Sequence, residues 1–592
     1  MHNIKTSKYL FESKSFFAIL YRFFLRNKQI LIFKSNDQSD LFFESKQEVV
    51  NVKEKAFYDL VNLKSIILSI IDTSLPNTNL NLRNSYLQRV LLHLEESYIF
   101  LELASRDNPE GRVYLTSRTK WLLSNIRSNY ADMNVSIIYP IFSKIYLKTK
   151  LIFKIIFLIF RTLFLPILKR NDFLSGLRYV IGDIAPSDHA IADHQKDFLW
   201  PIHSKLFHCN ETLFILNTRP SKESHEWIRR NNAKALYVGD IEKFLSLKSR
   251  VLLIKDYFLI LLSSLLNRND ITLICLDWMV KTKKWEYFWR QISPEKYFSS
   301  TSTLRNESPQ TSVCDLCKVE AINWAYANNE LQFVNHCSTT KDLTIRSSVF
   351  ATHKVLLWDH KVKDLFLKRR ISNIPYPSFH EIGPLMFGDH SVVNYSASRA
   401  LAVLGIDGVF TDKVIISFFE DPIVSTIVER NLLICRPIEE NEVIDTFRML
   451  LNLLIKFRNV VLIFKGKKPS FRENYSSDTL ISLLSHERCF VAEPSVNQYL
   501  PFVASDMVLS LPISSAVDVA EFFGIPGYHY YPTHKQFGTF QGQYLSSIIR
   551  DEKNIFDIVE SLFRDIEQVR FNKRNKIKDL DIIKKIKNSF NY

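Results

Sequence analysis

Residues Met507 to Pro532 read MVLSLPISSAVDVAEFFGIPGYHYYP and tie the chain to a parallel sheet. An apolar run, Met507 to Leu511, is followed by Pro512 and the pair Ser514-Ser515. An amphipathic stretch then leads to Gly524, Pro526 and a second β-prone run ending at Tyr531. The order is strand, tight turn, helix, strand. A helix starting at Ser514/Ser515 presents unpaired N–H groups and the positive end of its dipole. Such a terminus holds anions, phosphate above all. At the carboxyl end of a parallel strand it stands where open α/β sheets bind ligands.

The alternation extends over the last third of the chain. Lys413–Phe419, Val460–Lys465 and Cys489–Glu493 read as strands. Glu442–Arg458, Asp478–Ser485, Val496–Ala504 and Asn554–Val569 have helical apolar spacing. Strands alternating with helices predict a parallel sheet covered on both faces, with right-handed crossovers: a Rossmann-like domain. The middle, Arg178 to Asn373, alternates as well. Thr212–Thr218, Ala235–Gly239, Ile271–Trp278, Leu331–His336 and Lys354–Asp359 are its strand candidates. Ile374 to Asp389, rich in Pro and Gly, reads as a hinge. Ile30–Lys34 and Arg112–Leu115 are candidate strands of the N-terminal domain, and Leu87–Ala104 a helix. A length of 592 residues exceeds one core and fits two or three domains.

The C-terminal segment resembles the donor-nucleotide site of GT-B glycosyltransferases. More narrowly, it is similar to bacterial surface-polysaccharide transferases and polyol-phosphate polymerases. Those families carry Ser-Ser-x-x-x-Glu-Ala, five residues, then Pro; this chain has Ser514, Ser515, Ala520, Gly524 and Pro526 in place. Their Glu falls on Val519, with Asp518 one position earlier and Glu521 two later. Asn335-His336-Cys337 stands where the polymerases have Gln-His-Gly, and Lys465 with Lys468 where relatives have Lys-x-His-Pro. Glu381-Ile382-Gly383-Pro384 resembles the turn that opens their C-terminal domain.

The resemblance implies two Rossmann-like domains around a cleft: an acceptor domain over 1–390 and a nucleotide-donor domain over 391–592. It implies a metal-independent transferase with no cofactor beyond its substrate. That enzyme moves a sugar or polyol phosphate from a nucleotide-activated donor to a surface glycan or lipid-linked acceptor. The binding residues would be Gly383, Lys465, Lys468, Ser514, Ser515 and Asp518. His336 is the leading catalytic base, since its pKa lies near working pH, and Glu381 a second acid/base candidate. The alternative is a non-catalytic scaffold of the same fold that binds polysaccharide intermediates or a partner transferase, which the exchanges at Val519 and Cys337 favour.

A net charge of +15 points to acidic partners. Nucleic acid rests on charge alone, because most Phe fall in apolar periodic segments; none is expected as a partner. Lys144 to Arg170, KIYLKTKLIFKIIFLIFRTLFLPILKR, is interrupted by Lys154 and Arg161. Lys150, Lys154 and Arg161 fall within roughly 40° on a helical wheel. The pattern predicts an interfacial helix with its basic stripe toward headgroups, or a core helix whose cations reach water. The first places the protein on the inner face of the cytoplasmic membrane, and the basic residues from Arg570 to Lys587 either add lipid attraction or form a solvated helix.

Seven dispersed Cys and the absence of a clean signal sequence fit a reducing cytoplasm, with Cys314-x-x-Cys317 read as free thiols. Asp188-His189 with Asp193-His194 reads as a polar loop rather than a metal cluster. Asp579-Leu580-Asp581 follows no apolar strand and is rejected as a metal-nucleotide site. Neither a Walker A nor a G-x-G-x-x-G pattern occurs.

Overall fold

The computed structural model describes residues 9–11, 30–32, 55–56, 58–75, 79–107, 112–126, 139–166, 174–184, 199–267, 269–301, 308–325, 349–371, 374–384, 390–408, 410, 412–420, 440–466, 477–493, 496–511, 514–530, 532, 548–578 and 581–590. Three short strands, β1 (Tyr9–Phe11), β2 (Ile30–Ile32) and β3 (Arg112–Tyr114), form a small parallel sheet of their own. The candidate strands at Ile30 and Arg112 are therefore real but do not join the main N-terminal sheet.

That main sheet has seven parallel strands: β4 (Tyr179–Ile184), β5 (Thr212–Leu216), β6 (Lys234–Tyr237), β7 (Lys296–Thr301), β8 (Glu320–Ala325), β9 (Lys354–Leu357) and β10 (Ser378–Glu381). The order is β10-β9-β8-β7-β4-β5-β6. The second has six: β11 (Val414–Phe419), β12 (Val460–Lys465), β13 (Cys489–Ala492), β14 (Met507–Ser510), β15 (Gly527–Tyr530) and β16 (Ile548–Ile549), in the order β13-β12-β11-β14-β15-β16. Numbered from its own first strand, the second sheet runs 3-2-1-4-5-6, the doubly wound order. The first sheet repeats it with one further strand. Two Rossmann-like domains are thus present. Their strand order reverses between β4 and β7 in one and between β11 and β14 in the other.

The helices that position the site are α1 (Leu80–Asp107), α2 (Tyr139–Phe164), α3 (Leu247–Leu266), α4 (Asp270–Ile292), α5 (His360–Arg369), α6 (Glu440–Lys456), α7 (Tyr499–Ala504), α8 (Ser515–Phe523), α9 (Glu552–Lys578) and α10 (Ile582–Phe590). Both sheets are covered on both faces, as parallel sheets must be. Val414, Ile416 and Phe418 of β11 enter one core with α6, and Ile415, between them, enters another with α7 and α8. Val180 and Ile181 of β4 likewise part into opposite cores. All six residues of β12, VVLIFK, are buried.

Ile271–Trp278 is not a strand. It opens α4, whose start is capped by the Asn269 side chain accepting from the Ile271 amide at 2.9 Å. Short apolar runs fit either period. Here Ile271, Cys275, Trp278, Trp285 and Trp289 bury one helical stripe instead. The sheet takes β7 in its place. The anticipated hinge is in part β10, the edge strand of the first sheet. Leu331–His336 lies outside the described residues.

The basic C-terminal segment is more than a plain solvated helix. Arg570 on α9 pairs with Asp506 at 2.9 Å, and the buried Lys573 donates to the carbonyls of Val503 and Ser505. α10 then returns to the first domain: Ile582, Ile586 and Phe590 enter a core with Ile181, Phe214 and Phe298. Lys296 and Lys354, bridged by Glu320, donate to the carbonyls of Phe590 and Ser589.

Candidate active site at the two switch points

In the second domain β14 ends at Ser510, and α8 begins five residues later beside the reversal of strand order. Ser514 is its cap, accepting from the Ala516 amide at 3.3 Å. Gly524 ends it at φ +68°, a left-handed conformation that suits glycine. Ser514 and Ser515 are partly exposed, so the helix start is open to a ligand. Behind it the structure is closed. The Ser510 hydroxyl donates to the Leu511 carbonyl at 2.9 Å and lies 2.9 Å from His529 Nδ1 on β15. Burial lowers the His529 pKa to about 4, so the ring is neutral at physiological pH.

Asp518 is buried in the first turn of α8, where its charge complements the helix dipole. Together with burial, which opposes it, the Asp518 and Glu521 carboxylates set the Lys361 pKa, and the outcome is a raised value. Lys361, on α5 after β9, pairs with Glu521 at 3.1 Å. This ion pair joins α5 of the first domain to α8 of the second. Val519, where the relatives have Glu, is 1 % exposed and packs in the core.

Lys465 does not point where the sequence reading placed it. β11 separates β12 from β14, and Phe419 aligns with Lys465 on one side and Ser510 on the other. The Lys465 ammonium is 3 % exposed and donates at 2.9 Å to the Glu493 carbonyl beyond β13, away from α8. Burial lowers its pKa to about 7, against the pull of Glu493. Gly383 has φ +95°, and a Cβ there would meet Ile582 at 3.6 Å and Phe522 at 3.9 Å, where the chain crosses between domains. Glu381 ends the edge strand β10 and pairs with Lys363 at 3.1 Å, far along the sheet from β4. His336 and Lys468 lie outside the described residues, as do Asp188, His189, Asp193, His194 and Asp579. Cys314 and Cys317 are free thiols bonded to the carbonyls of Gln310 and Glu286.

The first domain contributes a residue that sequence reasoning missed. Between Ile181 and Ile184 the register of β4 against β5 slips by one residue, a bulge formed by Gly182 and Asp183. Asp183 has φ +59°. Its carboxylate accepts from Ser299 at 2.7 Å and Tyr297 at 3.2 Å, both on β7, across the switch point. Burial raises its pKa, against the hydrogen bonds from Ser299 and Tyr297. Gly182 permits this: a Cβ there would sit 2.3 Å from the Tyr297 hydroxyl. Bulges and left-handed non-glycine residues recur at functional sites, where they re-aim a side chain. The signal in the sequence was the Gly-Asp pair inside the apolar run Tyr179–Ile184.

Two doubly wound parallel sheets, each with polar groups gathered at its reversal and one with an open helix start, define a double Rossmann protein. The chain belongs to the family of polysaccharide biosynthesis PFTS motif proteins, whose model matches residues 254–555, just over half its length. No curated protein matches it. Among solved structures it is similar to S. aureus MnaA solved with UDP, at 12% identity over 70% of this chain and 96% of that one, TM-score 0.39. Anabaena Alr3699/HepE in complex with UDP and glucose is 9% identical over 70% of this chain and 99% of that one, TM-score 0.38. The UDP-GlcNAc 2-epimerase from Neisseria meningitidis bound to UDP-GlcNAc is 12% identical over 70% and 99%, TM-score 0.37. At such values the likeness assigns no ligand to this chain.

Proposed function

We propose that this protein is a membrane-associated glycosyltransferase of polysaccharide synthesis, moving a sugar or polyol phosphate from a nucleotide-activated donor to a glycan or lipid-linked acceptor. One observation carries the reading. In a chain of a polysaccharide biosynthesis family, the open start of α8 stands at the switch point of the second sheet. The donor's diphosphate sits on the amides of that helix start, with Ser514 and Ser515 beside it. Lys468 is retained as a candidate phosphate-binding lysine; Lys465 is not.

The family's description names a PFTS motif, and two stretches of the matched residues approach it. Pro309-Gln310-Thr311-Ser312 is committed to packing: Gln310, Thr311 and Ser312 are buried, and Ser312 bonds Ser85. Pro512-Ile513-Ser514-Ser515 leads into the open helix start, and we take it as the functional counterpart.

The acceptor enters at the first sheet's switch point. Asp183, held above the usual carboxylate range by burial, takes the acceptor hydroxyl's proton as that oxygen attacks the donor; a nucleoside diphosphate leaves when a sugar is moved, and a nucleoside monophosphate when a polyol phosphate is. His336 remains the second candidate for this proton. The amides at the start of α8, aimed at the departing phosphates, supply the electrostatic part of catalysis.

The buried Val519 favours a second reading, a scaffold that binds without turning over, because no carboxylate stands there to take a ribose. Release of nucleoside diphosphate from a panel of nucleotide sugars, or of nucleoside monophosphate from nucleotide-activated polyols, with a lipid-linked glycan acceptor present, separates the two. Turnover supports the transferase; tight binding with no release supports the scaffold.

A further inference from the structure

The helix expected to turn its cations toward lipid does the opposite. Lys154 of α2 pairs with Asp277 of α4 at 2.5 Å, and burial lowers its pKa despite that partner. Arg161 pairs with Glu242 at 3.2 Å and donates to the Gly239 carbonyl at 2.5 Å. Lys148 donates to the Leu265 carbonyl near the end of α3. At the opposite end Arg250 of α3 donates to the carbonyls of Leu165 and Pro166, just past α2. The two helices are therefore antiparallel and pinned to each other at both ends. Their inward polar contacts leave an outer face of hydrocarbon.

That face is broad. Of the twenty-five exposed large apolar side chains among the described residues, nine lie on α2 and eight on α3. They include Phe153, Phe157, Phe160 and Phe164 on one helix and Phe258 and Leu262 on the other. Helices of 26 and 20 residues give a plate about 39 and 30 Å long. An apolar patch this continuous marks a partner or a membrane. No helix among the described residues is long and apolar enough to span a bilayer, so the plate would lie in one leaflet.

Charge selects the occupant. α2 contains no acidic residue, and the one on α3, Asp256, is turned inward to Lys283 at 3.1 Å and Tyr287 at 2.8 Å. The exposed charges on the two helices are Lys150, Lys248 and Lys255, on a chain of net charge +15. Such a surface repels a second copy of itself and attracts anionic headgroups. We propose that α2 and α3 form a single docking plate that enters the outer layer of an anionic lipid leaflet, Phe side chains first and its lysines reaching to the headgroups. This rests on the membrane-associated part of the function proposed above and names the surface responsible. Arg161 ties the plate to Gly239, two residues past the end of β6, so one end of it lies at the carboxyl end of the first sheet, two strands from β4. A lipid-linked acceptor would then be held within reach of the first domain.

The test is co-sedimentation of the full chain with phosphatidylglycerol/phosphatidylcholine vesicles, alongside nucleotide binding and solution mass. Phe157→Ser with Phe160→Ser on α2 is expected to lower vesicle partition at least about tenfold, the scale for removing two phenyl groups from an apolar layer. Phe258→Ser with Leu262→Ser on α3 is expected to do the same, although it lies about a hundred residues away in sequence. Melting temperature and nucleotide affinity stay unchanged in both. Should a variant unfold, wild-type protein decides: a phospholipid with a photoactivatable acyl chain labels peptides from both 139–166 and 247–266. Wild-type protein that ignores the vesicles, label on neither helix, or a dimer that the substitutions turn into monomer would each overturn the proposal. Nucleotide binding can stand in all of these cases, so the donor site is judged separately.

Discussion

The Ser299 hydroxyl donates a 2.7 Å hydrogen bond to the Asp183 carboxylate, across the strands between which the first sheet reverses its order. The bond holds the acid on a left-handed bulge at the rim where ligands of doubly wound sheets collect. Asn tolerates that backbone conformation, so Asp183→Asn removes the charge without straining the chain. Turnover is expected to fall at least about a hundredfold, the lower range for a general base, while nucleotide affinity is unchanged. The acid limb of the wild-type pH–rate profile should lie above the usual carboxylate range. A variant that turns over normally but melts earlier would reduce Asp183 to a structural role.

Lys465 gives a prediction of opposite sign to that of a cleft lysine. Its folded pKa, about 7, is below that of the unfolded chain. Between the two the unfolded chain binds a proton that the native state does not, so this group's contribution to stability rises with pH above about 7. Below that pH the whole cost of burying the charge is carried. Lys465→Met should therefore stabilise the protein by about 1–3 kcal/mol near pH 6, with the gain shrinking toward pH 10. Denaturant titration at three pH values measures this, and nucleotide affinity should not change. A loss of nucleotide binding would restore Lys465 to the donor site.

His529 has the same sign in an acid window. Its folded pKa, about 4, is below its ordinary 6.5, so the unfolded chain binds more protons between those values. Stability conferred by the neutral ring is complete above about pH 6.5 and lost as pH falls through 4, by about 3 kcal/mol at most. His529→Gln should flatten that part of the melting-temperature profile. A profile as steep as that of the wild type would show that other groups govern it.

Where residue type and period agree, sequence and structure agree. Five of the six strands from β11 to β16 are marked by the alternation, all but β16, and α8 begins at the Ser pair that suggested it. Ile271–Trp278 failed because eight apolar-rich residues fit a strand or the first turns of a helix, and the Asn269 cap decided it. The basic stripe of α2 was visible, but its direction was not: Asp277 and Glu242, which turn it inward, lie about a hundred residues away. Lys465 was placed on the right strand end and given the wrong neighbour, because strand order, not sequence order, puts β11 between it and α8. Asp183 could not be singled out, since a bulge and a partner on β7 exist only in three dimensions.

The central claim is that the start of α8 holds the phosphates of a nucleotide. Ser515→Glu tests it most directly. An acidic residue in the first turn suits the helix dipole, so the unliganded protein should melt no earlier than wild type. The same charge repels a diphosphate from the amides beside it. Thermal shift with uridine, cytidine, guanosine and adenosine diphosphates is the measurement. One nucleotide at about 100 times its dissociation constant should stabilise the wild type by about 2.7 kcal/mol and leave Ser515→Glu unmoved. Wild-type protein that no nucleotide diphosphate stabilises at millimolar concentration, or a variant stabilised as fully as wild type, would contradict the account.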